Sequence, residues 1–335
     1  MTLIGIDIEV AANLLKNDNV VAIPTETVYG LAGNALSISA VTKIYEIKDR
    51  PFTHPLIIHL PDTSNLSKYV KNIPAIAIKL AEHFWPGPLT LLLPKTDIIP
   101  DIVTSGLPDV AVRIPNHPVA IQLLRKLSFP LAAPSANPYG YISPTNPEHV
   151  NKQLSGKIPY ILDGGICMAG IESTIVGFEN GIPVIYRVGA IAPEAIKKVA
   201  GRVEIKIQSQ VKPLSPGMSC SHYSPRTPLF LTNNIEALLK TLPRSGTGIL
   251  SFKNLYPFIL IPENRQEILS YTGNLEEAAH NLYKALHRLD SLGLERIIAE
   301  SVPNTGLGIA INDRLSRSTQ KNSINDDDEY AKQKK

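Results

Sequence analysis

The 335-residue sequence predicts an α/β protein, a larger unit on a mixed, twisted sheet followed by a smaller α/β unit. Short apolar runs alternate with helical apolar spacing through the first part of the chain. Several of those runs are joined by segments too short for a helical crossover, so the sheet is mixed rather than simply doubly wound. Between about residues 208 and 228 the periodicity stops in a proline-rich stretch, and an α/β pattern then restarts.

The elements follow in order. Ile8 to Leu15 has helical spacing, and Val20-Val21-Ala22-Ile23 reads as a buried strand ending at Pro24. Helical patterns recur at Ser39–Ile47, Ile73–Phe84, Pro118–Lys126 and Pro193–Val199. Strand-like runs are Leu56–Leu60, Leu89–Leu93, Val110–Ile114, Leu131–Ala133, Tyr160–Leu162, Ser173–Val176 and Val184–Arg187. After the interruption, Leu229–Thr232, Thr247–Phe252 and Arg296–Glu300 read as strands. Asn274–Leu292 reads as a long amphipathic helix with Asn274 as its cap. This is a small Rossmann-like layer pattern without Gly-x-Gly-x-x-Gly, so no dinucleotide site is read from it. The expected units are a first domain over 1–207, a linker over 208–228, an accessory domain over 229–318 and a disordered polar tail over 319–335.

Composition narrows the class. With 44% hydrophobic residues the chain can bury a sizeable core, and a net charge of +3 permits a local basic cleft without marking a nucleic-acid binder. Cys167 and Cys220 are too few for a disulfide scaffold, suit a reducing cytoplasm, and have no zinc-like spacing. Asp7 and Glu9 come early with no basic segment before them, so no signal peptide is expected, and no apolar run reaches membrane-spanning length. Phosphate loops of the Gly-x-x-x-x-Gly-Lys-Ser/Thr type, His-Glu-x-x-His and the Gly-x-Ser-x-Gly elbow are absent.

Chemistry gathers in short ordered motifs. Pro24-Thr25-Glu26-Thr27-Val28-Tyr29-Gly30 crowds hydroxyls, a carboxylate and a phenol at the end of a strand, where α/β sheets bind ligands. Lys48-Asp49-Arg50-Pro51 places two cations one residue apart, suited to phosphate or carboxylate. His54 and His59 follow. Further on stand Trp85-Pro86-Gly87-Pro88, Val112-Arg113-Ile114-Pro115, Pro134-Ser135-Ala136-Asn137, Ile142-Ser143-Pro144-Thr145 and Glu172-Ser173-Thr174-Ile175-Val176. Taken singly, each has an ordinary explanation: a capped turn, a satisfied core histidine, a surface ion pair. ATP, if bound, must be held by scattered cations and polar groups, and Lys48, Arg50, Ser135, Asn137, Ser143 and Arg187 are the candidates.

As an ordered set, with Ser215-Pro216-Gly217-Met218, His222-Tyr223-Ser224-Pro225, Asn304-Thr305-Gly306-Leu307-Gly308 and Asn312-Asp313-Arg314-Leu315, these motifs resemble the YrdC-like threonylcarbamoyl-AMP synthases in their two-domain form. The resemblance implies a YrdC-like twisted mixed-sheet domain followed by a smaller Rossmann-like α/β domain. It implies synthesis of threonylcarbamoyl-AMP and pyrophosphate from ATP, bicarbonate and L-threonine, for N6-threonylcarbamoyladenosine in tRNA. Magnesium would accompany ATP, and a downstream threonylcarbamoyl transferase acting on tRNA would be a partner. No nucleophile is needed, because positioning and charge neutralisation do the work. By the same resemblance Thr27, His59, Arg113, Ala133 and Ser173 face L-threonine, with Arg113 clamping its carboxylate. Lys48 and Arg50 face the phosphates as the catalytic pair, and Ser135, Ser143, Arg187 and Tyr223 face the nucleotide.

The sequence departs from the family pattern at several positions. His54 stands where the family has Asn and can still donate to an ATP phosphate, Ser219-Cys220-Ser221 stands where it has a basic-aromatic-basic linker piece, and Gly177 where an acid is common. Asp109 holds a nucleotide-facing position, where an acid needs a metal or a water bridge. The linker around Tyr223 is expected to lie across the cleft as a lid. One competing reading is an RNA-binding module on a basic concave face, with a weak tRNA contact. It calls for aromatic residues interleaved with basic ones, and the chain has 6% aromatics with proline and hydroxyl neighbours instead. A carbamoyl-transfer relative is disfavoured by the linker and accessory domain.

Overall fold

The computed structural model describes residues 1–206, 223–257 and 261–319. The linker motif Ser215–Met218, the Ser219-Cys220-Ser221 piece, His222 and the tail over 320–335 lie outside the described residues.

The first sheet comprises β1 (Leu3–Gly5), β2 (Val21–Ile23), β3 (Gly30–Asn34), β4 (Ile57–His59), β5 (Leu89–Pro94), β6 (Asp109–Arg113), β7 (Leu131–Ala132), β8 (Tyr160–Leu162), β9 (Thr174–Glu179), β10 (Ile182–Arg187) and β11 (Glu204–Ile205). Their order is β1-β8-β2-β3-β7-β4-β6-β5-β9-β10-β11. The sheet is mixed, as the short connections require: β4 and β6 run parallel, as do β5 and β9, while β2 and β3, β5 and β6, and β9 and β10 are antiparallel. The β9–β10 hairpin turns on Asn180 and Gly181 at φ 50° and 78°, the paired left-handed residues that suit a tight hairpin.

Helices form where caps and apolar faces coincide. Asp7 accepts from the backbone N–H of Glu9 and Val10 to start Ile8–Lys16, and Ser37 accepts from Ala40 to start Ile38–Lys48. The latter helix ends on Asp49, which adopts a left-handed φ of 52° and turns the chain sharply before Arg50. The helices Ala75–Phe84, Pro118–Arg125 and Pro193–Ala200 lie within one or two residues of their expected limits. Pro147–Leu154, capped by Asn146, is an additional helix.

The second sheet contains β12 (Leu229–Thr232), β13 (Thr247–Ser251), β14 (Gln266–Ile268) and β15 (Arg296–Glu300), all parallel, in the order β12-β15-β13-β14. Helices Leu275–Asp290 and Gly308–Ser318 accompany it, the first capped by Asn274 as expected. The main apolar core is continuous between the two sheets: Ile142, Val150, Ile171 and Val188 from the first part join Leu282, Tyr283, Leu286 and Ile311 from the second. That shared core fixes the helices of the second part against the cleft of the first.

Candidate active site

A cleft of about 540 Å³, counting its open mouth, lies where the loops after β2, β4, β6 and β7 converge with the start of β9 and the end of β10. Its wall begins with the turn after β2. The Thr25 hydroxyl donates to the Val28 carbonyl (2.7 Å) and accepts from the N–H groups of Thr27 and Val28. Its one proton is thereby used, so the Thr27 hydroxyl donates to Thr25 across 2.9 Å. Thr27 also accepts from Arg113 Nη1 at 2.9 Å.

His59 and Arg113 are direct partners in the parallel β4–β6 register, so their side chains share one face of the sheet. Arg113 is buried and held on three sides: Nε donates to the Gly87 carbonyl, Nη1 to Thr27, and Nη2 lies 2.8 Å from Glu26 Oε1. The Glu26 contact is close but off the N–H axis, a charge attraction rather than an aligned hydrogen bond. Burial and the neighbouring Arg113 push the His59 pKa down to about 3, so its ring is neutral at pH 7. His59 Nδ1 is buried and has no hydrogen-bond partner among the described residues. Such an atom calls for a ligand polar group.

Ala133 and Ser135 line the wall from the loop after β7, and Ser173 and Arg187 line it from the start of β9 and the end of β10. Ser173 Oγ shares a 2.7 Å hydrogen bond with Thr90 and accepts from Arg187 Nη2 at 3.0 Å. Arg50 enters below, its Nε and Nη2 donating to the carbonyls of His54 and Pro55. Tyr223 also lines the cleft, buried, with the Arg314 guanidinium 4.8 Å from its ring centroid. Glu172 completes the wall, and both of its oxygens are taken. Ser143 donates to one at 2.7 Å, Arg314 Nε to the other at 2.8 Å, and Tyr283 reaches both at 2.9 Å. Burial alone would push the Glu172 carboxyl up; Arg314, Arg187 and these hydrogen bonds hold it below the usual range instead.

Of the residues singled out by sequence, Thr27, Arg50, His59, Arg113, Ala133, Ser135, Ser173, Arg187 and Tyr223 thus share one cleft. The others stand elsewhere. Lys48 does not line the cleft. Its buried ammonium donates to the carbonyls of Ser135 and Asn137, and burial drives its pKa well down. The helix ends at Lys48 and the left-handed Asp49 turns the chain, so the two cations go to different places. Asn137 is fully buried, with its amide donating to the carbonyls of Pro138 and Tyr141. Ser143 is spent on Glu172. His54 lies beside the Tyr139 ring at 5.2 Å, and burial together with Arg50 lowers its pKa to about 4, so it is neutral at pH 7. Asp109 opens β6, four residues from Arg113 and about 13 Å along an extended strand, outside the cleft.

Three residues of the site were without a role in the sequence reading. Glu26 and Glu172 sit inside quoted motifs, and Arg314 belongs to the Asn-Asp-Arg motif at the far end of the chain. Only the fold brings Arg314 to Glu172, across 142 residues.

Comparison with known proteins shows the family. The Sua5–YciO–YrdC family model, described as "Telomere recombination", matches residues 13–189, and the model described as "Threonylcarbamoyl-AMP synthase, C-terminal domain" matches residues 191–319. A threonylcarbamoyl-AMP synthase of Bacillus subtilis is 41% identical over 324 residues, covering 92% of this chain and 91% of that protein. One of Pyrococcus abyssi is 38% identical over 326 residues, covering 93% and 94%. The crystal structure of P. abyssi Sua5 complexed with L-threonine is similar with a TM-score of 0.88 at 37% identity, over 95% of this chain and 97% of that one. The chain therefore belongs to the threonylcarbamoyl-AMP synthase family, in the form that carries the C-terminal domain.

Proposed function

We propose that the cleft makes threonylcarbamoyl-AMP and pyrophosphate from L-threonine, bicarbonate and ATP, as a nucleotidyl-transferring enzyme. The observation that carries this reading is one buried cleft that gathers two kinds of group. Thr27, His59, Arg113 and Ser173 offer hydroxyls, a neutral imidazole with an orphan nitrogen, and a guanidinium. That set matches an amino acid with a carboxylate and a hydroxyl. Arg50, Arg187, Ser135 and Tyr223 offer two guanidiniums, a hydroxyl and a ring, which match phosphates and a nucleoside, and the two sets meet where Arg187 donates to Ser173.

The chemistry is carried by positioning. The threonine amine attacks the carbon of bicarbonate, water leaves, and a carbamate forms. A carbamate oxygen then bonds to the α-phosphorus, and the bond to the β-phosphate breaks, with pyrophosphate taking the electron pair. Arg113 fixes the carboxylate so that the amine points toward the nucleotide, and Arg50 and Arg187 offset the charge gathered on the phosphates. Their burial, with exposures of 4%, 7% and 5% for Arg113, Arg50 and Arg187, suits a small enclosed anion and not an RNA surface. Lys48 supports this by fixing the carbonyls of the Ser135 loop rather than by touching phosphate.

Magnesium fits only as a companion of ATP. Glu172 is the carboxylate among the described lining residues, and both of its oxygens are occupied, so the phosphates themselves would hold the ion and neutralise their charge with it. The product, an activated carbamoyl adenylate, would pass to a transferase acting on tRNA adenosine. Among the described residues no helix is long and apolar enough to cross a membrane.

The test uses carbon-13 bicarbonate with ATP, magnesium and L-threonine. The reading expects pyrophosphate release only when all are present, and carbon-13 in the adenylate. Pyrophosphate release that ignores threonine or bicarbonate would refute it.

A further inference from the structure

The C-terminal part of the chain reaches the cleft wall with a buried side chain, Arg314. It lies on helix Gly308–Ser318, is fully buried, and is fixed from several directions. Its Nε donates to Glu172, its Nη2 donates to the Val188 carbonyl at 3.0 Å, its Nη1 pairs with Asp313, and its plane lies against Tyr223. Tyr283, on helix Leu275–Asp290, adds a second contact from the same part of the chain.

Glu172 is a carboxylate in the wall of a cleft otherwise rich in cations. Left alone there, its charge would repel any bound phosphate and attract the neighbouring guanidinium of Arg187, which already feels it. Bound by Arg314 and Tyr283, the carboxylate is neutralised and turned toward the C-terminal helices.

We infer that Arg314 is a positioning residue for nucleotide binding: it removes the Glu172 charge from the anion-binding end of the cleft, making that end depend on the docked C-terminal domain. The inference rests on the proposed reading only in taking that end as the nucleotide end. Arg113, taken as the threonine clamp, contacts Gly87, Thr27 and Glu26 and neither member of this pair, so threonine binding is expected to respond less. A buried pair of this kind costs little while complete and much when one partner is removed.

The test is direct binding on the full-length protein by calorimetry, with magnesium and α,β-methylene-ATP as one probe and L-threonine as the other. Arg314→Gln is expected to weaken the nucleotide analogue by about tenfold or more, and L-threonine by less than about threefold. Adding Glu172→Gln to Arg314→Gln is expected to restore nucleotide affinity to within about threefold of the unaltered chain, because no unpaired carboxylate remains. Tyr283→Phe, which leaves the salt bridge, gives a smaller loss in the same direction and serves if Arg314→Gln does not fold. Equal weakening of both probes, or no recovery in the double variant, would overturn the inference, as would unchanged analogue affinity in Tyr283→Phe where that variant stands in. Because binding is read without turnover, a wrong reaction assignment would appear in the bicarbonate experiment and leave this one intact.

Discussion

Two groups of cleft residues, those on paired strands and those gathered from distant parts of the chain, are held by different means. Thr27, His59 and Arg113 are set by paired strands and a self-bonded threonine turn, all within the first 113 residues. The second group, which the proposed reading gives to the nucleotide, is assembled from distant parts: Arg50 after a left-handed turn, Arg187 at the end of a hairpin strand, and Tyr223 with Arg314 behind it. A rigid register is suited to discriminating a small amino acid, where a misplaced donor costs most. An assembled end can bind a larger, more highly charged partner while remaining conditional on the second domain. The difference predicts that damage to the first end is local and severe, and damage to the second spreads through the fold.

The comparison breaks first at Glu26. Glu26→Ala leaves the Arg113 cation buried without its carboxylate, and a loss of about 3–5 kcal/mol of stability is expected in urea unfolding, with threonine binding lost as well. A change below about 1 kcal/mol would mean that the pair contributes no orientation. Lys48→Ala is expected to cost about 3 kcal/mol, since two carbonyls of the Ser135 loop lose a charged donor. An unchanged melting temperature with lost ATP use would instead return Lys48 to the phosphates, where the sequence reading had put it. Arg50→Ala, by contrast, should keep the fold and lower kcat/KM for ATP by about 1.5–3 kcal/mol, since its charge faces the cleft. Full activity in that variant would remove Arg50 from the phosphate end.

Acid provides the most gradual test. His59 has a folded pKa of about 3 against an ordinary value of 6.5, so the unfolded chain binds the proton more readily. Its contribution to stability is intact above pH 6.5 and is lost as the pH falls from 6.5 toward 3, at up to about 1.4 kcal/mol per pH unit. His59→Gln should flatten that part of the melting curve against pH. The same slope in both proteins would place the ring in water.

Sequence made much of this legible, for physical reasons that vary by element. Strands such as Leu89–Pro94 and the capped helix Leu275–Asp290 carry strong apolar periodicity, and their limits follow from it. The strand Gly30–Asn34 was invisible because two glycines weaken its β character, although Gly30 is where Ala133 packs closely. Helix Pro147–Leu154 is short and carries few apolar residues, so its signals are its cap Asn146 and Pro147 at its first position. In the site, the motif residues on β4 and β6 were readable because register brings them together. Lys48 stands apart from Arg50, although spacing of one residue reads as shared aim, because the left-handed Asp49 turns the chain between them. The Glu172–Arg314 pair had no sequence signal, since contact across 142 residues is a property of docking.

The central claim is that one cleft separates amino acid from nucleotide, with Arg113 on the amino-acid side. Arg113→Lys tests it most directly, because lysine keeps the charge and loses the two-pronged grip on a carboxylate. Binding of L-threonine and of magnesium with α,β-methylene-ATP is measured separately on the full-length protein. The account predicts that L-threonine weakens by about a hundredfold while the nucleotide analogue stays within about twofold. Equal weakening of both would contradict it and place Arg113 on the nucleotide.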